Sequence, residues 1–345
     1  MHAGMTDSEK VFKDFSPVCS LEDAVVYKQK TREGLMKIMV VGGSGYIGRN
    51  VVKSLAAQGA NVVAFDVSPA PANWTQPGVP FIQGNMANLE EVMAAVVDHG
   101  VQRIVALGYF MTPLLAPECR DLLNAARVNI IGVTNVFEAA RLARLDRVIF
   151  ASTVGIFGHQ DGYGSQSINE DTEPRAPKSL YGLMKLLNNG LAERYAKTFG
   201  IQIVKVHCAA AIGPGNTAFS HRMIQLPALG KPGFANWPSA APRNIVGVTD
   251  IAQLYTKLAL ADVVEHDTYM GTGPSPTGRQ IADIVIKYLP DAEITFDDKA
   301  RVPAWNFDNS RAVKEFDWQI QSVEEMVVDE INGTRQAAGL PSVTR

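Results

Sequence analysis

A strand-like run followed at once by three glycines constrains this chain more than any other feature of its sequence. The stretch KIMVVGGSGYIGRN spans residues 37–50, and Gly42, Gly45 and Gly48 follow the spacing G-x-x-G-x-x-G. A strand, a glycine turn and a helix make the phosphate-binding unit of dinucleotide sites. The glycines allow a tight turn and a close approach of the pyrophosphate to the helix N-terminus. The stretch therefore predicts a dinucleotide site.

The chain up to residue 212 alternates between strand-like and helix-like segments. Continuously apolar runs predict strands at 38–41, 61–65, 79–84, 103–108, 147–152 and 201–207. Apolar residues at helical spacing predict helices at 46–58, 89–97, 119–144 and 179–199. Apolar strands that alternate with helices indicate an α/β protein with a parallel sheet covered on both faces.

The same pattern divides the chain into three predicted parts. Residues 1–36 match no part of the alternation and are interpreted as an N-terminal extension. Residues 37–212 form the predicted dinucleotide-binding domain, which includes the helix at 179–199. Residues 213–345 begin rich in proline and glycine and then regain helical patterns at 250–260, 277–288 and 322–335. They are interpreted as mainly a smaller substrate-binding lobe, with some segments returning to the first domain.

Composition favours a soluble cytoplasmic protein with a small-molecule substrate. The 32 basic and 35 acidic residues give a net charge of -3 without a basic stripe, so no nucleic-acid partner is expected. The uncharged apolar stretch Ile104–Pro117 is too short to span a membrane, and the first residues lack a signal-peptide core. Cys19, Cys119 and Cys208 are scattered, and the six histidines lack zinc-ligand spacing. Neither disulfides nor a metal are expected.

An acidic residue at the end of the second predicted strand indicates the cofactor. Asp66 follows the glycines at about the distance where a carboxylate hydrogen-bonds the ribose hydroxyls of NAD and repels the 2′-phosphate of NADP. NAD is therefore predicted. Arg49, next to the last glycine, leaves NADP as the less favoured alternative.

A tyrosine and a lysine lie four residues apart in the helix predicted at 179–199. This spacing places Tyr181 and Lys185 on one helix face. An ammonium near a phenol favours the phenolate and lowers the pKa of the tyrosine, which can then exchange a proton as a hydride moves. Ser152 and Thr153 end a predicted strand, where a hydroxyl can hydrogen-bond the reacting oxygen.

Eight segments in order resemble the short-chain dehydrogenase/reductase superfamily, in its extended branch, the NAD-dependent epimerase/dehydratase family. The segments are VVGGSGYIG, Asp66, RVNIIGVTNVFEAA, ASTVGIFG, YGLMK, AIGPG, RNIVGVTDIA and WNFDNSRAVKEFDW, and the resemblance as a whole covers roughly residues 37–335. The resemblance implies a Rossmann-type, doubly wound parallel sheet, bound NAD and hydride transfer at a carbon that bears oxygen. It also implies a homodimer through a four-helix interface of helices 119–144 and 179–199.

Position by position, the resemblance implies roles for the site residues. Thr153 would orient the substrate oxygen, Tyr181 would be the acid–base group, and Lys185 would hold the nicotinamide ribose. Asn129 would support a proton-relay water or a local helix distortion. The implied cofactor-binding residues are Gly42, Gly45, Tyr46, Ile47, Gly48, Asp66, Asn85, Met86, Leu107, Tyr181, Lys185 and Cys208. The implied substrate residues are Tyr109, Met111, Thr153, Ala210 and Arg243.

Departures from the family pattern reduce the number of reactions that are expected. Val154 and Gly155 stand where dehydratases and decarboxylases carry acidic residues, so both reactions are disfavoured. His207 and Ala210 replace the arginine and asparagine that nucleotide-sugar enzymes usually carry ahead of the GPG segment. Arg243, in contrast, matches an arginine that often meets a diphosphate.

The resemblance with these departures implies an NAD-dependent oxidoreductase. Its substrate would be a secondary alcohol, or the matching ketone, on a sugar-like or other small hydroxy compound. The alternative is a UDP-sugar epimerase that keeps its NAD tightly bound. A non-catalytic NAD sensor is a third alternative, and the intact Thr153, Tyr181 and Lys185 disfavour it.

Overall fold

The computed structural model describes residues 36–344 except 72–73, 75–77, 112–120, 176, 178 and 217–220. Apart from Met36, the predicted N-terminal extension lies outside the described residues. The first residues of the helix predicted at 119–144 lie outside them as well.

The strands follow the predicted alternation in the first part of the chain. They are β1 Lys37–Val41, β2 Asn61–Asp66, β3 Phe81–Gln83, β4 Arg103–Ala106, β5 Arg147–Thr153, β6 Gln202–Cys208, β7 Ala210–Ile212, β8 Gly233–Ala235, β9 Ile245–Gly247, β10 Thr268–Gly271 and β11 Ile294–Phe296. A seven-stranded sheet has the order β10-β6-β5-β4-β1-β2-β3, and all its neighbouring strands are parallel. Two-stranded sheets pair β8 with β11 and β7 with β9.

The helices connect these strands. They are α1 Tyr46–Ala57, α2 Leu89–Asp98, α3 Leu122–Ala126, α4 Val133–Leu142, α5 Leu180–Phe199, α6 Leu226–Ala228, α7 Val248–Leu260, α8 Gly278–Tyr288, α9 Ser310–Phe316 and α10 Val323–Ala337. A π-helical turn, Arg127–Gly132, joins α3 to α4. Across the described residues, no helix combines the length and the apolarity that a membrane crossing needs.

Apolar packing on both faces of the large sheet explains its continuously apolar strands. One face buries α1 and α7 through residues such as Val51 and Tyr255. The other buries α2, α4 and α5 through residues such as Phe137. A separate core, here called the C-terminal lobe, contains Met223, Trp237, Ile281 and Val327.

The strand order identifies the edge of the sheet at which a ligand binds. Successive strands run outward from β1 to β3 on one side and from β4 to β10 on the other. The order therefore reverses between β1 and β4, and ligands of such sheets bind in the crevice at the carboxyl ends of these strands. This is the predicted doubly wound, Rossmann-type fold.

Two differences from the sequence-based expectation concern the large sheet and the helix before β5. Strand β10 is absent from the predicted strands, because its four residues, TYMG, carry no long apolar run, yet it pairs with β6 at the edge of the sheet. The prediction of one regular α-helix at 119–144 is wrong, because the π-helical turn at Arg127–Gly132 interrupts the described part of that segment.

Candidate active site

The glycine turn after β1 has no room for side chains. The N–H groups of Gly42 and Gly43 both donate to the carbonyl of Phe65, at 2.8 and 3.1 Å. Gly42 has a φ of +79°, and a Cβ on it would lie 2.6 Å from the backbone nitrogen of Gly108. A Cβ on Gly48 would lie 1.9 Å from the carbonyl oxygen of Gly42. The ends of β1, β2 and β4 therefore meet at this turn.

The N-terminus of α1 emerges from that turn without a side-chain cap. Gly45 is its N-cap residue and makes no side-chain hydrogen bond, whereas Ser179 caps α5 and Thr277 caps α8. The first N–H groups of a helix carry partial positive charge and bind phosphates. Tyr46 and Ile47 form the start of α1, and Gly45 is exposed. The arrangement fits a pyrophosphate.

Asp66 ends β2 beside the glycine turn, as predicted. Its Oδ2 accepts a hydrogen bond from the Ser44 N–H, and its Oδ1 accepts one from the Ser68 N–H, both at 3.0 Å. A carboxylate oxygen can accept more than one hydrogen bond, so both oxygens keep capacity for ribose hydroxyls. The guanidinium of Arg49 donates to the Pro214 carbonyl at 3.3 Å instead.

Residues at the ends of β3 and β4 form the wall next to Asp66. Asn85 is exposed, and its Oδ1 accepts a hydrogen bond from the Ala87 N–H at 2.9 Å. Met86 is buried, and its sulfur lies 2.7 Å from where a Cβ of Gly108 would be. Leu107 is half-buried. These residues, predicted to contact the cofactor, lie at the same edge as the glycine turn.

Thr153 and Tyr181 meet where β5 ends and α5 begins. The Thr153 hydroxyl accepts a hydrogen bond from the Gly155 N–H at 3.1 Å and hydrogen-bonds the Tyr181 phenol. Ser179 caps α5 by accepting from the Gly182 N–H at 3.1 Å. A Cβ on Gly182 would lie 2.8 Å from the carbonyl oxygen of Gly155. This close contact holds the two hydroxyls together.

Lys185, one turn further along α5, is enclosed by a carbonyl and two aromatic rings. Its Nζ donates to the Ala151 carbonyl at 2.5 Å. It also lies 3.6 Å from the ring centroid of Tyr109 and 4.8 Å from that of Phe150. Burial lowers the pKa of Lys185 to about 7, so the charged form is destabilised.

The pKa of Tyr181 moves opposite to the prediction. Burial raises it to about 12, and the hydrogen bond from Thr153 offsets only part of that increase. The expected lowering by the Lys185 ammonium is wrong for this structure, because Nζ is bonded to Ala151 and both groups are desolvated. A nearby positive charge lowers the pKa of a phenol, so a bound group that carries one favours the phenolate.

Tyr109 lies between these two groups. Its ring is perpendicular to that of Tyr181, with the centroids 5.5 Å apart. Its hydroxyl is buried and has no hydrogen-bond partner among the described residues, and burial raises its pKa. Met111 is half-buried and ends the described part of this loop. An unpaired buried hydroxyl is costly, which favours a ligand group as its partner.

Asn129 lies in the π-helical turn and fixes the loop that carries Tyr109. Its Oδ1 accepts from the Phe110 N–H at 2.8 Å, and its Nδ2 donates to the Phe110 carbonyl at 3.0 Å. Its own carbonyl accepts from Nδ2 of Asn188 at 2.9 Å. Sequence reasoning missed Asn188, whose only signal was an amide within a buried helix face. The local helix distortion is present.

The remaining predicted residues lie where β6 leads into the lobe. Cys208 ends β6, and burial raises the pKa of its thiol to about 12. Ala210 starts β7 and pairs with Ile245 of β9. The guanidinium carbon of Arg243 lies 5.1 Å from the ring centroid of Trp237, and burial lowers the pKa of Arg243 to about 10. Arg243 therefore packs against the core of the C-terminal lobe.

Comparison with known proteins assigns the family. A sequence model described as "NAD dependent epimerase/dehydratase family" matches residues 38–269. The chain belongs to this family. The match runs from β1 to β10 and includes the glycine turn, Asp66, Thr153, Tyr181 and Lys185.

Relatives within the family include two kinds of enzyme. UDP-glucose 4-epimerase of Azospirillum brasilense is 28% identical over 170 residues, which are 49% of this chain and 47% of that protein. Mitochondrial L-threonine 3-dehydrogenase of Sus scrofa is 24% identical over 299 residues, 82% of this chain and 78% of that protein. The solved UDP-glucose 4-epimerase of Thermus thermophilus, in complex with NAD, has a TM-score of 0.75 at 21% identity and covers 88% of this chain and 100% of that chain.

As a member of the NAD-dependent epimerase/dehydratase family, the chain is an NAD-dependent enzyme of the extended short-chain dehydrogenase/reductase type. The glycine turn without room for side chains, the uncapped start of α1 and the carboxylate of Asp66 fit NAD. When bound, NAD accepts or donates a hydride and, when oxidised, brings a positive charge.

Proposed function

We propose that this enzyme oxidises a secondary alcohol of a small hydroxy compound, or reduces the matching ketone, and releases its reduced or oxidised cofactor after each turnover. The Thr153–Tyr181 hydrogen bond at the carboxyl edge of the sheet carries the proposal. We take the Tyr181 phenol as the proton-transfer group and the Thr153 hydroxyl beside it as the group that orients a substrate oxygen, close to the predicted dinucleotide site. Positioned acid–base groups of this kind contribute about 10² to 10⁴ in rate.

Each residue of this group has a proposed role. Tyr181 accepts the alcohol proton during oxidation and returns it during reduction. Thr153 donates to the Tyr181 phenol, which stabilises the phenolate, and accepts from Gly155, which orients it. Lys185 keeps two ammonium protons beyond its bond to Ala151 and is proposed to offer them to the ribose. Asn129 holds Phe110 and so positions Tyr109.

The cofactor is proposed to lie along the edge formed by the glycine turn, with Asp66 at the adenosine ribose and Asn85 near the adenine. Met86 and Leu107 form the wall of that site, and Cys208 ends the strand behind Lys185. The residues after 212 that form the C-terminal lobe are proposed to close over the substrate. Support comes from the common edge at which these residues end their strands.

The proposed substrate is a small β-hydroxy amino acid or a compound of similar size. Ala210 offers a methyl group where a nucleotide-sugar site would need a polar side chain. Arg243 is packed on Trp237 and so serves a single small anionic group, such as a carboxylate, or its own loop. The alignment with L-threonine 3-dehydrogenase extends over 82% of the chain, against 49% for the epimerase of Azospirillum.

A UDP-sugar epimerase is the second candidate, and Arg243 is the residue that favours it. An epimerase oxidises and re-reduces one substrate, so NADH does not accumulate in solution. The two candidates therefore differ in a directly measurable product.

The deciding experiment is a screen for NADH absorbance with purified enzyme and NAD. The panel contains L-threonine, other β-hydroxy acids, small polyols and free sugars, and UDP-glucose is assayed in parallel by product chromatography. NADH formation with a small hydroxy compound, absent in Tyr181→Phe, supports the proposal. Conversion of UDP-glucose without released NADH would replace it with the epimerase.

We also propose a homodimer through α3, its π-helical turn and α5. Leu180, Leu183 and Leu187 are exposed at helical spacing on α5, and Leu123 and Ile131 are exposed on the neighbouring segment. Large exposed apolar patches mark interaction surfaces. The double variant Leu183→Lys/Leu187→Lys should be monomeric by light scattering. Val263→Lys, at an exposed valine after α7, is the control, and an unchanged mass in the double variant contradicts this interface.

A cytoplasmic location is proposed from the cysteines. The three are scattered along the chain, and the described one, Cys208, is free and buried. Reduced cysteines are typical of a reducing compartment. Fractionation of the source cells tests this, and recovery with a membrane or secreted fraction would contradict it.

A further inference from the structure

The segment Gly213–Asn216, here called the strap, lies directly on helix α1. It follows β7 and contains two glycines with positive φ, Gly213 at +143° and Gly215 at +83°. A Cβ on Gly215 would lie 1.9 Å from Nη2 of Arg49, so the strap backbone contacts that side chain without intervening space. The strap is therefore shaped to fit against α1.

Two side chains of α1 bind the strap. The Tyr46 hydroxyl donates to the Gly213 carbonyl at 3.2 Å, and the Arg49 guanidinium donates to the Pro214 carbonyl at 3.3 Å. Tyr46 is the first residue of α1 and directly follows the uncapped N-cap residue Gly45. A displacement of the strap therefore acts on the residue next to the proposed pyrophosphate position.

A buried carboxylate of the C-terminal lobe binds the strap from its other side. Glu330 of α10 has no exposed surface. Its Oε2 accepts from the Gly213 N–H at 3.0 Å, and its Oε1 accepts from Nε2 of Gln225 at 2.9 Å. The same Gln225 nitrogen donates to the Asn216 carbonyl at 2.6 Å. Both ends of the strap are thus tied to one carboxylate.

The contact between strap and lobe is also sterically tight. A Cβ on Gly333, one turn after Glu330 in α10, would lie 2.4 Å from the Cβ of Pro214. Burying a carboxylate is expensive unless hydrogen bonds compensate, and bonds to a charged acceptor are stronger than neutral ones. Helix α10 begins with its own capping box at Ser322 and Glu325, so its N-terminus does not depend on Glu330.

We propose that the strap couples the C-terminal lobe to the dinucleotide site, and that Glu330 is a positioning residue which slows release of the cofactor. The inference rests on the NAD-binding part of the proposed function and not on the substrate. Loss of the Glu330 bonds frees the strap, and Tyr46 then no longer holds the start of α1 against the lobe. The cofactor therefore leaves faster.

The test measures the dissociation rate constant of NADH from the full-length enzyme. Stopped-flow fluorescence follows NADH release after a chase with excess NAD, for wild type, Glu330→Gln, Tyr46→Phe and the double variant. Glu330→Gln should release NADH about tenfold faster, because its amide has one acceptor oxygen and cannot accept from both Gly213 and Gln225, and Tyr46→Phe about fivefold faster. If both act through the strap, the double variant should exceed the faster single variant by less than about twofold.

Glu170→Gln is the matched control. The Glu170 side chain is 4% exposed, and its carboxylate accepts a hydrogen bond from the Met270 N–H in edge strand β10, at 2.9 Å. Its NADH release should stay within about twofold of wild type, even if the variant is less stable. Equal acceleration in Glu170→Gln and Glu330→Gln would mean a general loss of stability and would overturn the positioning role.

Gly333→Ala provides a second variant that retains the buried carboxylate. The added methyl group pushes against Pro214 and should also accelerate NADH release, while alanine favours the helix. If Glu330→Gln does not fold, the rate of NADH release from Gly333→Ala is used as the test instead. A wild-type enzyme that binds no NADH overturns the proposed function together with this inference. Wild-type binding with release unchanged in Gly333→Ala and in any folded Glu330→Gln overturns the inference alone.

Discussion

Buried cations lie at both ends of the central sheet, but their surroundings differ. At the amino ends of β4 and β5, Arg103 and Arg147 are neighbours in register and are nearly inaccessible to solvent. Toward the carboxyl ends, Lys185 is equally buried beside β5. The comparison shows how a buried charge that maintains the fold differs from one that is available to a ligand.

Arg147 uses most of its donors, chiefly on the carbonyls at one helix terminus. Arg147 donates to the carbonyls of Leu258, Ala261 and Asp262, at 2.9, 2.8 and 3.3 Å, and to the side chain of Gln202. Arg103 also donates to the Ala261 carbonyl, at 2.8 Å. These carbonyls end α7, where the helix dipole is negative. Burial and the neighbouring arginine lower the pKa of Arg147 to about 10.

Lys185 keeps donors that no described backbone group uses. Its one hydrogen bond within the described residues goes to Ala151, and the rest of its surroundings are the rings of Tyr109 and Phe150. Its pKa of about 7 means that the charge is retained only weakly near neutral pH. A cation with its donors engaged stabilises the fold, whereas one with donors in reserve can bind a cofactor.

The largest expected effect is the loss of the Tyr181 proton. Tyr181→Phe should reduce turnover with the substrate found in the screen by at least about 100-fold, because a positioned acid–base group is removed. NADH affinity and thermal stability should change little, since the ring remains. Tyr163→Phe is the control, because the Tyr163 hydroxyl donates to the Glu173 carbonyl at 3.2 Å away from Thr153. Near-normal turnover of Tyr181→Phe would remove it from the mechanism.

A substitution at the amino ends of the strands should show the reverse pattern and should affect stability but not turnover. Arg147→Met removes bonds to three carbonyls at the end of α7 and should lower the free energy of unfolding by about 3 kcal/mol. Turnover should stay within about threefold at a temperature where the variant is folded. Arg279→Met, at an exposed arginine, is the control in denaturant titrations. An inactive but fully stable Arg147→Met would contradict the comparison.

The candidate site at the carboxyl ends of the strands could be predicted from the sequence, but the arginine contacts at their amino ends could not. Glycines behind a strand, Asp66 after the next strand and a Tyr-x-x-x-Lys helix are local patterns with chemical meaning. Arg103 and Arg147, in contrast, each precede an apolar run and look like solvated strand starts. Their partners lie more than 100 residues away, at the end of α7. Only the packed fold brings these groups together.

The electrostatics of the predicted site also depend on packing. The spacing of Tyr181 and Lys185 gives their common helix face, but not which neighbour binds the ammonium. That neighbour is Ala151, on a strand 34 residues earlier, and the burial of both groups reverses the predicted pKa shift of Tyr181. The buried contact between Glu330 and the strap is non-local in the same way, with 117 residues between Glu330 and Gly213.

Asp66 is intermediate between the engaged Arg147 and the less engaged Lys185, because backbone N–H groups use only part of the hydrogen-bond-accepting capacity of its carboxylate. Asp66→Asn removes the charge and one acceptor for ribose hydroxyls, so NAD affinity should fall about tenfold and the preference for NAD over NADP should narrow. Fluorescence titrations with NADH and NADPH measure both changes. Asp161→Asn is the control, since Asp161 is exposed and paired with Arg301 at 3.0 Å. Tighter binding of NADPH than NADH by wild type would contradict the cofactor assignment.

The smallest expected effect is the dependence of stability on the Lys185 proton. Its pKa is about 7 in the folded chain, against 10.5 for an unperturbed lysine. Between these values the unfolded chain binds a proton that the folded chain lacks, so this residue makes stability fall as the pH decreases from 10.5 toward 7 and rise as it increases. Between pH 7 and pH 8 the unfolding free energy of the cofactor-free wild type should rise by about 1 kcal/mol relative to Lys185→Met. Urea titrations at both pH values give this difference. The Cys208 thiol, with its pKa raised from 9.0 to about 12, shifts in the opposite direction and binds its proton more firmly in the folded chain, but it is present in both proteins. If the unfolding free energies of wild type and Lys185→Met differed by the same amount at both pH values, Lys185 would keep its proton firmly, as Arg147 does at the other end of the sheet.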